Sequence, residues 1–353
     1  MVYTTNPFNS YLDMPPYRGQ RVERFTYQLI NGVTEENLGF VQPRKDQPPS
    51  LSHDTSSGGI KRRLNFALGV SDTTDINPIT DRILPSMIIG AVTYPLGRYM
   101  FSNELDVIST GGSRGTFTLL DEGFIIDQVI DRAYSPTSSV RSAITGLVNQ
   151  VTLPGVDIEA SPYLAKGSLN PGQTRGQALD AYATQGDYFS YWMDNHGLFR
   201  MIRTIDPATA PAQFDWDENK MVIRDSIQKT SDVLNAPNRF VVVSNSGAAV
   251  NGPIVGAYDV PASAPFSIQQ RGFTITKIVD AEVTTSDQAA AAARAEGIKQ
   301  TVYDRITLET PLDPRHDSYD VIRFLGDSWL ELSWSMQLTP GGTMSHTMRK
   351  AYT

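Results

Sequence analysis

Apolar and polar residues alternate along the first and last thirds of the chain, whereas the middle spaces its apolar residues as helices do. From Val22, Phe25, Tyr27 and Leu29 alternate with Thr26, Gln28 and Ile30, and Asn31-Gly32 follows, a dipeptide that favours a tight hairpin. The returning strand holds Leu38 and Phe40. Alternation resumes at Ile60, Arg62, Leu64, Phe66, Leu68 and Val70, then in short pieces at Met87–Val92, Gly97–Phe101 and Thr116–Leu120. The polar stretches Gln47–Gly59 and Ser71–Thr80 read as loops, the first of them mobile. Five or six short strands with turn-rich connections predict a small antiparallel barrel or sandwich.

In the middle, Phe124, Val129 and Ile130 predict a helix within Glu122–Arg132, and Val140, Ile144, Leu147 and Val148 predict another. Thr174-Arg175-Gly176-Gln177 matches a capping box and opens a helix through Thr184, with Gly186 as its stop. Tyr188–Met193 and Leu198–Ile205 then pair around Asp194-Asn195-His196-Gly197.

From Met221 strand patterns return at Arg239–Val243, Phe273–Val283, Val302–Leu308, Val321–Leu325 and Trp329–Leu338, and Asn245–Pro265 reads as a long excursion. Between two of these strands, Ser286 and Asp287 open a helix, and the run Ala289 to Glu296 gives it high propensity and a smooth face. Such a helix can lie very close to a sheet. The predicted class is α+β, mainly β. Its parts are an extended arm at 1–20, a first β-barrel at 21–120, an α+β helix-hairpin module at 121–206 and a second β-barrel at 207–353 with the Ala-rich helix 286–300.

Composition narrows the function. The chain of 353 residues is 40% apolar and 19% charged, and its net charge of −8 argues against a phosphate-binding surface. The one basic cluster, Lys61-Arg62-Arg63, reads as a solvated strand face or the contact of an acidic partner. There is no cysteine, which excludes disulfides, Cys-ligated metals and Cys nucleophiles. Neither a membrane-spanning segment nor a secretory signal is evident.

Candidate chemistry is sparse. Gly111-Gly112-Ser113-Arg114-Gly115 matches the nucleophile-elbow string, but a strand follows it where that mechanism needs a helix, so a hairpin turn accounts for it. His53, His196, His316 and His346 read as turn or surface residues, with His316 beside Asp317 and Asp320 the nearest to a metal ligand. Asp215, Asp217 and Asn219 begin like a calcium loop but meet Lys220 and Ser226 where Gly and Glu are needed. Asp157 and Glu159 form a carboxylate pair at strand spacing. Trp192, Trp216, Trp329 and Trp334 could be sugar platforms, though three of them lie in strand patterns. No catalytic, cofactor-binding or metal-ligating residue is assigned.

Three segments carry a resemblance. Tyr94-Pro95-Leu96-Gly97-Arg98-Tyr99-Met100-Phe101 runs on to Leu119-Leu120-Asp121-Glu122. Thr174 to Ile205 holds a helix and hairpin with the aromatic strand Tyr188–Trp192. Leu234 to Val242 is followed by Ala289 to Val321, with Asp313-Pro314-Arg315 and Asp320-Val321. Together, over roughly residues 20–350, they resemble the hub protein at the tail tip of long-tailed bacteriophages. That family includes the N-terminal region of tail-associated lysins, the myophage baseplate hub and the late control protein D group.

The resemblance implies two tail-tube-like barrels per subunit and a homotrimeric ring in the virion, assembled in the host cytoplasm. Its implied partners are the distal tail protein, the tape measure protein and the central tip or fibre proteins, with phage DNA only in passage. It implies a structural role rather than an enzyme. Because the sequence stops at Thr353, cell-wall digestion is expected of another chain. The alternatives are a β-rich hydrolase, resting on Gly111–Gly115 and the carboxylate pairs, and a carbohydrate-binding host-recognition module.

Overall fold

A computed structural model describes residues 22–68, 76–102, 106–109, 112–136, 138–217, 221–223, 225–232, 234–244, 252–300 and 303–352. The arm expected at 1–20 lies outside the described residues, as do most of Ser71–Thr80 and the start of the excursion at 245–265.

The first third supplies β1 (Glu23–Asn31), β2 (Asn37–Phe40), β3 (Ser50–Asp54), β4 (Arg62–Leu68), β5 (Asp81–Ile89), β6 (Val92–Pro95), β7 (Tyr99–Phe101), β8 (Asp106–Ser109) and β9 (Gly112–Asp121). Alternation decides which side chains are buried, since successive Cβ atoms leave a strand on opposite faces. Leu64, Phe66 and Leu68 are buried while Arg63 and Asn65 point outward. The stretch Gln47–Gly59, read as a loop, contains β3. Its inward residues are Leu51 and His53, and a polar-looking histidine hid the period.

The middle forms α1 (Gly123–Ile126), α2 (Val140–Val148), β10 (Val156–Ile158), α3 (Arg175–Gly186), β11 (Trp192–Met193) and β12 (Phe199–Met201). The helix expected across Glu122–Arg132 is only the short α1. Phe124 and Val129 stand exposed, and Val129 instead bridges to Thr174. Both halves of the Thr174 capping box are made, and Asp187, at φ 60°, closes α3 one residue beyond the expected glycine stop. Val140, Ile144, Leu147 and Val148 pack with Leu179, Tyr182 and Tyr188 into this region's own core.

The last third supplies β13 (Phe214–Trp216), β14 (Gln228–Ser231), β15 (Arg239–Ser244), β16 (Ile254–Asp259), α4 (Ile268–Arg271), β17 (Thr276–Asp280), α5 (Ser286–Gln300), β18 (Asp304–Pro311), β19 (Val321–Phe324), β20 (Asp327–Gln337) and β21 (Thr343–Lys350). The expected excursion at 245–265 thus holds β16. The Ala-rich helix has its expected span, but its cap is Thr285, whose Oγ1 accepts from the Gln288 amide at 3.1 Å, rather than Ser286. α5 covers one face of a separate sheet ordered β16-β15-β17, burying Ala289, Ala292 and Ala293 against Val242 and Val283. Contact is so close at Gly256 that a Cβ there would lie 2.2 Å from the helix backbone at Ala289 and Ala290.

The remaining strands of both ends hydrogen-bond into one 15-stranded sheet, whose main path runs β14-β18-β21-β20-β3-β4-β9-β7-β5-β1-β2. The seam is antiparallel pairing of β3 with β20, with Ser52 opposite Ser335. Beyond β2 the chain turns back toward β4, where Pro43 bridges Leu68 and the Arg44 amide donates to the Ala67 carbonyl at 2.8 Å. This curl encloses a core of Leu51, Leu64, Phe66, Tyr99 and Leu119, to which the far end of the chain adds Trp334, Met336 and Met344. A second core, with Phe214, Trp216, Ile322, Phe324 and Trp329, lies under the other half. Among the described residues no helix is long and apolar enough to cross a membrane.

Candidate functional site

The histidines read as surface residues divide sharply. His53, His316 and His346 are buried, and His196 alone sits in its hairpin turn. Glu331, on β20, joins two of them: its Oε2 lies 2.8 Å from His316 Nδ1 and its Oε1 2.5 Å from His346 Nδ1. Thr310 Oγ1 stands 2.9 Å from His346 Nε2, and the His316 ring stacks on Phe214 with centroids 3.9 Å apart.

Burial alone would depress His316, but the carboxylates of Glu331 and Asp320 override it and raise its pKa to about 10. Burial would raise Glu331, but the two imidazoles hold it down at about 2. His346, second in line for the same carboxylate, is lowered by burial. His316, Glu331 and His346 bring ligand atoms within 4.8 Å of one another, so the residue types suit a metal. Both carboxylate oxygens are nevertheless engaged directly by ring nitrogens at hydrogen-bond distance. The arrangement is a buried ion pair with a neutral imidazole as its second donor.

The basic cluster Lys61-Arg62-Arg63 is not the solvated face expected of it. Only Arg63 points to solvent. Lys61 turns in to donate to the Thr55 carbonyl at 2.7 Å. Arg62, 1% exposed, donates to Asp317 Oδ1 and to Asn195 Oδ1, both at 2.5 Å, and lies 5.4 Å from the Trp334 ring centroid. Asn195 donates in turn to the carbonyls of Pro314 and His316. One guanidinium therefore ties β4, the middle hairpin and the corner before β19. Burial and the neighbouring Asp194 and Asp320 carboxylates raise Asp317 to about 7 against the pull of Arg62. Sequence reasoning missed Arg62 and Glu331; a single charge at an inward position of an otherwise apolar strand was the available signal.

The remaining sequence candidates do not converge. Gly111 lies outside the described residues, and Gly112 to Gly115 run along β9 paired with β8, not on the strand-to-helix turn a nucleophile elbow requires. Asp157 pairs with Arg200 at 3.1 Å, and Glu159 accepts from the Arg203 amide at 2.8 Å. Asp215 sits in β13, while Asn219 and Lys220 lie outside the described residues. All four tryptophans are buried, which removes them as sugar platforms.

A different surface emerges from the strand register. The outward positions across β18, β21, β20, β3, β4 and β9 form a row of Glu309, Ser345, Ser335, Ser52, Arg63 and Leu120. A parallel row holds Gln337, Ser50, Asn65 and Thr118. Glu309 and Arg63, toward opposite margins, are the only charges in the two rows. A third row, with Thr347, Ser333 and Asp54, floors a cavity of about 410 Å³ whose other walls include Phe189, Tyr319 and the end of α5. The period-two run of Ser and Thr in β3, β20 and β21 is visible in the sequence but carries no motif.

No family model matches the sequence, and no curated protein matches it. The fold is similar to that of the tail protein from Neisseria meningitidis MC58, with TM-score 0.62 and 12% identity over 92% of this chain and 96% of that one. It is similar to a prophage tail protein from Listeria monocytogenes EGD-e, with TM-score 0.60 and 10% identity over 92% and 94%. It is also similar to the 43 kDa tail protein of prophage MuSo2 from Shewanella oneidensis, with TM-score 0.57 and 13% identity over 92% and 98%. At such identities the likeness is one of fold.

Proposed function

We propose that this chain is a structural virion protein, the hub of a bacteriophage-type tail tip, which forms a homotrimeric ring that closes the tail tube and opens for DNA passage. The observation that carries this reading is a fold similar along nearly the full length of three tail proteins. The seam between β3 and β20 supports it, because it makes the two ends of the chain one rigid body around the middle module. In this reading residues 21–120 and 207–353 act as paired barrels and 121–206 as the module between them. The distal tail protein, the tape measure protein and the central tip are its partners. The chain works by assembly, without a catalytic centre.

Mass photometry of the purified chain tests the ring: a species of three times 38.9 kDa is expected, alone or on mixing with the neighbouring tail proteins. Electron cryomicroscopy of purified particles should then place three copies at the distal end of the tail. A chain that stays monomeric and is missing from particles overturns the reading.

A further inference from the structure

We propose that the outward face of β18, β21, β20, β3, β4 and β9 lines the passage through which duplex DNA moves, an inference that rests on the hub reading above. Six strands at ordinary spacing make a face about 24 Å across. It is unbroken because β3 and β20 pair directly across the seam. Its two open rows are hydroxyls and amides, with Glu309 and Arg63 cancelling.

Three properties of this face fit a polyanion in transit. Duplex DNA is held chiefly by clustered Lys and Arg, which release its counterions, and the face has no such cluster. A strongly acidic face would oppose entry, and this one is close to neutral. Its side chains are also short and fastened to the sheet. Asn65 Nδ2 donates to Ser50 Oγ at 3.3 Å, Thr118 Oγ1 to Asn65 Oδ1 at 3.3 Å, and Ser52 Oγ to the Arg63 carbonyl at 3.5 Å. Hydroxyls and amides can trade hydrogen bonds with water and phosphate at little net free energy.

A fixed protein contact is a poorer fit. Such interfaces centre on buried aromatic, Met or Arg anchors. Here Phe66, Phe117, Trp334 and Met336 all point to the opposite, buried face, and Leu120 is the sole apolar side chain in the two rows.

The test uses whole particles carrying Ser52→Lys, Ser335→Lys and Ser345→Lys together. Finding the unmodified chain in purified particles comes first; its absence there would sink the hub reading itself. With the three lysines, ring mass and copy number should be unchanged. Heat-triggered DNA release, followed with a DNA-binding dye, should slow about tenfold or more at low salt and recover near 0.5 M, where added charges are screened. The set Ser52→Asn, Ser335→Asn, Ser345→Asn should release DNA normally, as should Ile79→Lys on a remote exposed turn. Unchanged release by the lysine set at low salt overturns the proposal. Loss of ring assembly by both the lysine and asparagine sets does so too, because the face would then lie inside a protein contact. If the triple lysine chain fails to fold, Ser335→Lys alone is read by the same criteria.

Discussion

Arg62 and Asp317 meet at 2.5 Å although 255 residues separate them, and the guanidinium is almost wholly enclosed. Removing one member of a buried pair leaves the other charge without compensation, a loss of about 3–5 kcal/mol. Arg62→Met should therefore lower the urea midpoint sharply at pH 7, while Arg62→Met with Asp317→Asn should recover much of it. The single variant should also regain stability toward pH 5, because Asp317, already raised to about 7 beside Asp194 and Asp320, takes up a proton once its cation is gone. Equal losses at pH 7 and pH 5 would contradict this account.

His316 and Glu331 set the pH range of the fold. The folded pKa of His316, about 10, lies above its ordinary 6.5, so its contribution is complete below 6.5 and disappears as pH rises through 10. Glu331, held near 2 against an ordinary 4.5, contributes fully above 4.5 and loses that contribution as pH falls toward 2. Both shifts describe one ion pair, so they count once. Stability measured by urea titration should be greatest between about pH 4.5 and 6.5 where this pair dominates. His316→Gln should cost about 3 kcal/mol at pH 6 and flatten the alkaline limb.

Gly256 should not tolerate even a methyl group. A Cβ there meets backbone of α5 rather than a movable side chain end. Gly256→Ala should cost about 1–3 kcal/mol by forcing the helix off its sheet, whereas Ala257→Ser on the exposed face should stay within about 0.5 kcal/mol. Thermal melts of the two variants make the comparison.

The start of α5 distinguishes neighbouring hydroxyls. Thr285→Ala removes the cap and should destabilise by about 1 kcal/mol, while Ser286→Ala, already inside the helix, should be nearly neutral. The reverse order would show that the helix begins one residue later.

What could be read from residues alone followed local rules. The Thr174 box, the α5 run and the alternation of Leu64, Phe66 and Leu68 each depend on neighbours a few positions away. The failures came from long-range partners. His53 and Arg62 look like surface residues until Ser318 and Asp317 arrive beside them from the far end of the chain. β3 was overlooked for the same reason: its short strand gains its register from β4 and β20. The helix expected at 122–132 went the other way, because helical spacing of Phe124 and Val129 found no core to face.

The pairing of Ser52 with Ser335 has a bearing on synthesis. The first sheet cannot finish on the ribosome, since the strand that flanks β3 is made almost at the end of translation. A product cut short before Asp327 would leave that early edge bare and its core short of Trp334 and Met336. Completion of the polypeptide thus acts as a quality gate, withholding a competent building block until the last strands are in place.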